Sequence, residues 1–165
     1  MKKVLCAILG TVALACIVAY RYVLLTYPTQ LIKDDFDFSI PHKTYTPLQN
    51  VDMKGCTAYL YIDRSDLFEA PAALREAQCW KTTDSEKLER LKSLFKFTST
   101  GGEFGTCASR FILKRGFTTI YDTEIVLTNG YFVVESGSGD SQFLEETKNL
   151  FKSFTPSSER FLFDF

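Results

Sequence analysis

The stretch VLCAILGTVALACIVAY, residues 4–20, runs 17 residues without a charge. No other feature constrains the chain as strongly, because so long an apolar run either leaves water or must be wrapped by the rest of the molecule. Met1-Lys2-Lys3 precedes it, Arg21 interrupts it, and Tyr22-Val23-Leu24-Leu25 resumes it. Val4 to Leu25 spans 22 residues, and about 20 are needed to cross a bilayer. The pattern predicts a signal anchor, a transmembrane helix within residues 1–27. Arg21 would snorkel to the interface, and Tyr20, Tyr22 and Tyr27 suit an aromatic belt. The positive flank sets the N-terminus in the cytoplasm and everything from about residue 28 outside.

Cleavage is the rival expectation. Ala13-Leu14-Ala15-Cys16 resembles a lipoprotein processing site, which would make Cys16 a lipid-attachment residue and residues up to 15 a signal peptide. Ala13 stands where a larger aliphatic is usual. Ile17 to Tyr20 are apolar where a mature lipoprotein begins a polar tether. Either way the following domain faces the periplasm, at the inner membrane.

Beyond the anchor the chain carries 16 basic and 20 acidic residues, a net charge of −4. Phosphate binding needs a basic face. No basic stripe is present, so nucleic acid is excluded as a partner. Residues 28–50, with Pro41 and Pro47, read as a tether, with an edge strand suggested at Asp35-Phe36-Asp37-Phe38. Residues 51–165 read as one domain, long enough to bury a core without a metal.

The domain's pattern is α+β. Thr57–Ile62 is aromatic and aliphatic, as a strand requires. Pro71 opens a possible helix over 71–78. Thr83 and Glu86 have the spacing of a capping box, and Leu88, Leu91, Leu94 and Phe95 share the face of the helix that follows. Strands are expected at 107–114, 117–127 and 131–135, joined by tight turns at Arg115-Gly116 and Asn129-Gly130; the latter is a strong hairpin signal, since type I′ needs positive φ at both central residues. Gly137-Ser138-Gly139 should break the sheet, and Asp140 or Ser141 should cap a last helix whose apolar face is Phe143, Leu144, Leu150, Phe151 and Phe154, stopped by Pro156. The expected architecture is an antiparallel sheet of four or five strands with two amphipathic helices on one face. The other face is expected partly exposed, offering Tyr or Phe. Residues 161–165 read as a last strand or a packed segment.

Chemistry is sparse. In an oxidising compartment two of Cys56, Cys79 and Cys107 should pair. Cys79–Cys107 is the pairing expected, closing a 29-residue loop worth about 3–4 kcal/mol on the chain-entropy account. Trp80 is expected against that bridge and Cys56 as a buried, inert thiol. Zinc is not expected, because there is no Cys-x-x-Cys and His42 is the only histidine. That single histidine also argues against Cys–His or Ser-His-Asp catalysis. Thr100–Gly105 is glycine-rich without a phosphate-loop ending, and Glu103 and Phe104 at its tip are candidates for contacting a partner. Asp63 and Asp66 lack the spacing of a calcium loop. No catalytic residue and no cofactor is assigned.

The expectation is a non-enzymatic, membrane-tethered, extracytoplasmic protein-binding domain. Its size and anchoring resemble those of many immunity proteins that inhibit a toxin or hydrolase. An accessory structural subunit of an envelope or secretion complex, and a lipoprotein that binds a small ligand, are the alternatives.

Overall fold

A computed structural model describes residues 2–26, 32, 40, 42–99, 109–128, 131–136, 139–143 and 145–163. The chain divides into two compact units, one of residues Met1–Pro28 with Ser158–Phe165, the other of residues Thr29–Ser157.

In the first unit, helix α1 (Lys2–Tyr22) leads directly into strand β1 (Val23–Thr26). β1 pairs in parallel with the last strand, β11 (Arg160–Phe163), in the register Val23↔Arg160 to Thr26↔Phe163. The helix therefore stops before Val23-Leu24-Leu25, which the sequence had assigned to a single span. Thr11 Oγ1 donates to the Ala7 carbonyl at 3.0 Å, which satisfies its hydroxyl within the helix. Val4, Ile8, Leu9, Val12, Leu14 and Ile17 are exposed, from 54% at Val12 to 64% at Ile17. Among the described residues no helix is long and apolar enough to cross a membrane, so the fold does not establish the transmembrane span expected at the N-terminus.

The second unit is a mixed α+β domain, as the order of elements read from the sequence predicts, but its sheet has nine strands among the described residues rather than four or five. Its strands are β2 (Thr44–Tyr45), β3 (Cys56–Tyr61), β4 (Cys79–Thr82), β5 (Phe97–Ser99), β6 (Ser109–Arg115), β7 (Thr118–Thr128), β8 (Tyr131–Ser136), β9 (Gly139–Phe143) and β10 (Thr155–Ser157). The order is β10-β4-β3-β6-β7-β8-β9-β5-β2, every pair antiparallel. Helices α2 (Ser85–Leu94) and α3 (Glu145–Phe151) complete it.

The β6–β7 hairpin closes through Gly116-Phe117, where Gly116 has φ +57°. That is the positive φ required at the first position of a II′ turn. β7 and β8 pair up to Thr128↔Tyr131, the register a two-residue connection dictates; Asn129 and Gly130 themselves lie outside the described residues, as do Asp35–Phe38. Several local expectations fail. Residues 72–74 form only a 3-10 turn behind Pro71. The α2 cap is Asp84, whose carboxylate accepts from Lys87 N at 3.0 Å, and not Thr83. Asp140 and Ser141 are strand residues opposite Glu135 and Val134 rather than helix caps, and Phe143, expected on the last helix, ends β9 opposite Phe97, while Leu144 lies outside the described residues. Pro156 sits in β10 opposite Trp80, which an edge strand tolerates because it owes no ladder donor on its open side.

The core lies on the sheet face that α2 and α3 cover. Phe95, fully buried at the end of α2, is its hub: its ring centroid is 4.4 Å from Phe111, 5.8 Å from Tyr121, 6.2 Å from Phe97 and 6.3 Å from Phe151. Phe111 in β6 and Phe97 in β5 belong to strands four places apart, about 19 Å in a flat sheet. That both rings pack on Phe95 means the sheet curls round the helices. Tyr45 and Leu48, in the stretch read as a tether, are buried in this core. Trp80 also belongs to it, its indole N–H donating to the Ala77 carbonyl at 2.9 Å. Cys79, one residue earlier on the strand, points to the opposite face, so Trp80 does not pack against a bridge there.

Candidate functional site

The second face of the sheet is largely closed over its central strands rather than open, and it carries Tyr59 and the half-buried Tyr61. Ile112 and Tyr59 are buried there, and so are two ionisable groups, Lys114 (4% exposed) and Asp122 (2%). Strand alternation puts Arg110, Ile112 and Lys114 of β6 on one face and Phe111 and Leu113 on the core face. On β7, register sets Asp122 opposite Ile112 and Glu124 opposite Arg110. Arg110 Nε donates to Asp122 Oδ1 at 2.9 Å, and its Nη1 lies 3.6 Å from Glu124 Oε1. Lys114 Nζ donates to Thr119 Oγ1 at 3.5 Å. Burial pushes the Asp122 carboxyl up from its ordinary range, against the pull of Arg110 and Lys114. Burial likewise pushes the Lys114 ammonium down, with Asp122 opposing. Such shifts accompany functional sites and structural ion pairs alike. With both groups enclosed and hydrogen-bonded to neighbours, the arrangement braces β6 against β7.

At the end of the sheet where β3 begins, the chain forms an open cleft of about 520 Å³. Residues Asp52 to Thr57 make one wall, and Thr83, Ser85, Leu88 and Glu89 at the start of α2 make the other. The first wall is a turn organised by Asp52. Lys54 N donates to its carboxylate at 3.0 Å, Cys56 Sγ to its carbonyl at 3.5 Å, and Gly55 has φ +69°. Arg115, at the end of β6, places Nη2 3.7 Å from Asp52 Oδ2. That ion pair joins the cleft to the β6–β7 hairpin, whose tip residue Phe117 is 72% exposed. Phe68, in the loop after β3, is exposed to a similar degree, at 70%; what sets Phe117 apart is its place at the tip of a hairpin that the Arg115–Asp52 ion pair ties to the cleft.

The residues singled out in the sequence fare unevenly. Glu103, Phe104 and Cys107 lie outside the described residues. Cys16 is exposed within α1. Cys56 is a buried free thiol on the core side of β3. Cys79 is buried at the start of β4, opposite Tyr61. Cys56 and Tyr61 are five positions apart, about 16 Å along a strand, well beyond the roughly 7 Å a disulfide can span between Cα atoms. A Cys56–Cys79 bridge is excluded. His42 is exposed beside β2, with φ +61° and its N–H donating to Ser99 O at 3.1 Å. Among the described residues no group of His, Cys, Asp and Glu could hold a metal ion.

Neither the cleft nor the hairpin tip was legible as a site in advance. The cleft joins segments some 30 residues apart, and only the β3–β4 register brings them together. The charged face carried little signal: Ser109–Arg115 reads Ser-Arg-Phe-Ile-Leu-Lys-Arg, with three apolar residues between Arg110 and Lys114, and only the two-residue spacing of Asp122 and Glu124 sets both acids on one face.

No protein family, no curated protein and no solved structure matches the chain.

Proposed function

We propose that the chain is a membrane-anchored, extracytoplasmic, non-enzymatic protein-binding domain of the immunity or inhibitor type, with a toxin or hydrolase as partner. The observation that carries the binding reading is the exposed Phe117 beside the cleft between Asp52–Thr57 and the start of α2. A rigid two-residue hairpin presents the aromatic at low entropic cost, and the adjoining cleft offers carboxylates, hydroxyls and an ammonium. An apolar anchor with a polar surround is the usual make-up of an interface hot spot. The anchor reading is supported by the uncharged run of residues 4–20 and by the exposed apolar side chains along α1.

The test is retention of a partner by the full chain, extracted in mild detergent from membranes of the producing cell. One soluble protein retained in stoichiometric amount by the parent chain and lost with Phe117→Ser is expected. Retention unchanged by Phe117→Ser would remove the hairpin from the interface. Retention of envelope components alone would favour an accessory subunit.

A further inference from the structure

We infer that the cleft beside the β6–β7 hairpin receives an acidic side chain of the partner protein, an aspartate or glutamate that pairs with Lys54 while Phe117 fills an apolar site next to it. This rests on the reading of the Phe117 end of the sheet as a protein-binding surface. Cys56, at the start of β3, pairs with Arg115, at the end of β6. The two strands are antiparallel, so Lys54, two residues before Cys56, and Phe117, two residues after Arg115, leave the sheet at the same end. Paired strands lie about 4.8 Å apart, which puts both positions within reach of one partner segment.

The hydrogen-bonding inventory of the cleft sets the sign of what it takes. Its acceptors are engaged. The Asp52 carboxylate accepts from Lys54 N and pairs with Arg115, and the Glu89 carboxylate pairs with Lys92 at 3.4 Å. Asp84, beside the cleft, accepts from Lys87 N. The donors are not engaged. Among the described residues the Lys54 ammonium and the hydroxyls of Thr57, Thr83 and Ser85 have no partner, and Lys54, Thr83 and Ser85 are exposed. The charges agree. Of the lining residues and their ion-pair partners, Asp52 and Glu89 stand against Lys54, Lys92 and Arg115. That is a local positive excess in a chain that is net −4 beyond residue 27. A carboxylate accepts from an ammonium and from hydroxyls at once, and such charge-assisted bonds are the strong ones. A basic side chain would meet Lys54 and find both carboxylates taken. Met53, Cys56 and Leu88 are buried in the walls, so the pair forms against apolar surface, where it is stronger than in open water.

The experiment is zero-length crosslinking of the full chain in membranes of the producing cell. A water-soluble carbodiimide joins an ammonium to a carboxylate paired with it, leaving an amide that peptide mass spectrometry locates. A photoreactive side chain at position 117, in a parallel sample, identifies the protein that contacts the hairpin. Lys54 is expected to be joined to an aspartate or glutamate of that same protein. Lys54→Glu, a change at an exposed position, is expected to lose the photoadduct at 117. An adduct at 117 with Lys54 unjoined, or joined only to Asp52 or Glu89 of its own chain, would overturn the inference and spare the binding reading. So would a photoadduct that survives Lys54→Glu. Lys54 joined to a small carboxylate rather than to a protein would assign the cleft to a free ligand and overturn the partner as its source. No adduct at 117 would overturn the binding reading and, with it, this contact.

Discussion

Arg110 and Asp122 face each other across β6 and β7, guanidinium Nε 2.9 Å from carboxylate Oδ1, with the aspartate 2% exposed. The pair costs desolvation that its attraction does not fully return, which is why the Asp122 carboxyl sits above its ordinary range. Arg110→Ala leaves a buried carboxylate without its principal partner. At neutral pH this should destabilise the fold by about 3–5 kcal/mol, read by urea denaturation. A folded pKa above the unfolded one means that the penalty of the ionised form applies above the folded pKa and is relieved as pH falls through it. The deficit of Arg110→Ala should therefore shrink on acidification. A deficit that grew would contradict the assignment.

Lys114 should behave in the opposite manner. Its ammonium is buried and donates to Thr119 Oγ1 at 3.5 Å, and burial lowers its pKa. The charged form is thus penalised below the folded pKa, and the penalty lifts as pH rises through it. Lys114→Met removes the penalty on the buried ammonium but also one of the two cations that oppose the effect of burial on Asp122, so near neutral pH it should cost less than Arg110→Ala, which removes the direct hydrogen bond to Asp122. Its deficit should grow on the alkaline side, where the parent is relieved of the penalty on Lys114. Thermal unfolding across pH measures both.

The start of α2 gives a local test. Asp84→Ala removes the bond to Lys87 N and should cost about 1 kcal/mol. Thr83→Ala should cost much less, since Thr83 is not the cap. Equal losses from the two substitutions would show that the capping box read from the sequence forms after all.

For the oxidised protein, peptide mapping without reduction should find Cys79 joined to Cys107, with Cys56 unmodified until the fold is opened. Cys79 and Ser109, two residues after Cys107, start their strands at one end of the sheet, and Cys56 begins β3 at the other. A peptide containing Cys56 in disulfide linkage would contradict this.

β6, β7 and β8 were legible in the sequence because aromatic and β-branched residues concentrate in them and turn residues separate them, with Gly116 announcing the turn between the first two. α2 was legible because its apolar residues recur at the helical period. β4, β5, β9 and β10 were not. Gly139–Phe143 reads Gly-Asp-Ser-Gln-Phe, a poor strand former, and is extended because β8 and β5 flank it on both sides. Cys79–Thr82 has only four residues, too few to show a period. The capping box read at Thr83 missed by one residue, because Asp84 has the extended backbone of an N-cap and the carboxylate that accepts from Lys87 N. The cleft is long-range by nature. Asp52, Ser85 and Arg115 meet only after three strands have registered, and no local pattern reports that.

Binding through the Phe117 end of the sheet is the central claim, and site-specific photocrosslinking in intact membranes tests it most directly. A photoreactive side chain is placed at Phe117 or, as comparison, at Phe68, which is similarly exposed at 70% but lies in the loop after β3, at the sheet's other end. The account predicts one dominant protein adduct from position 117 and none from position 68. Equal adducts from both positions, or none from 117, would contradict it.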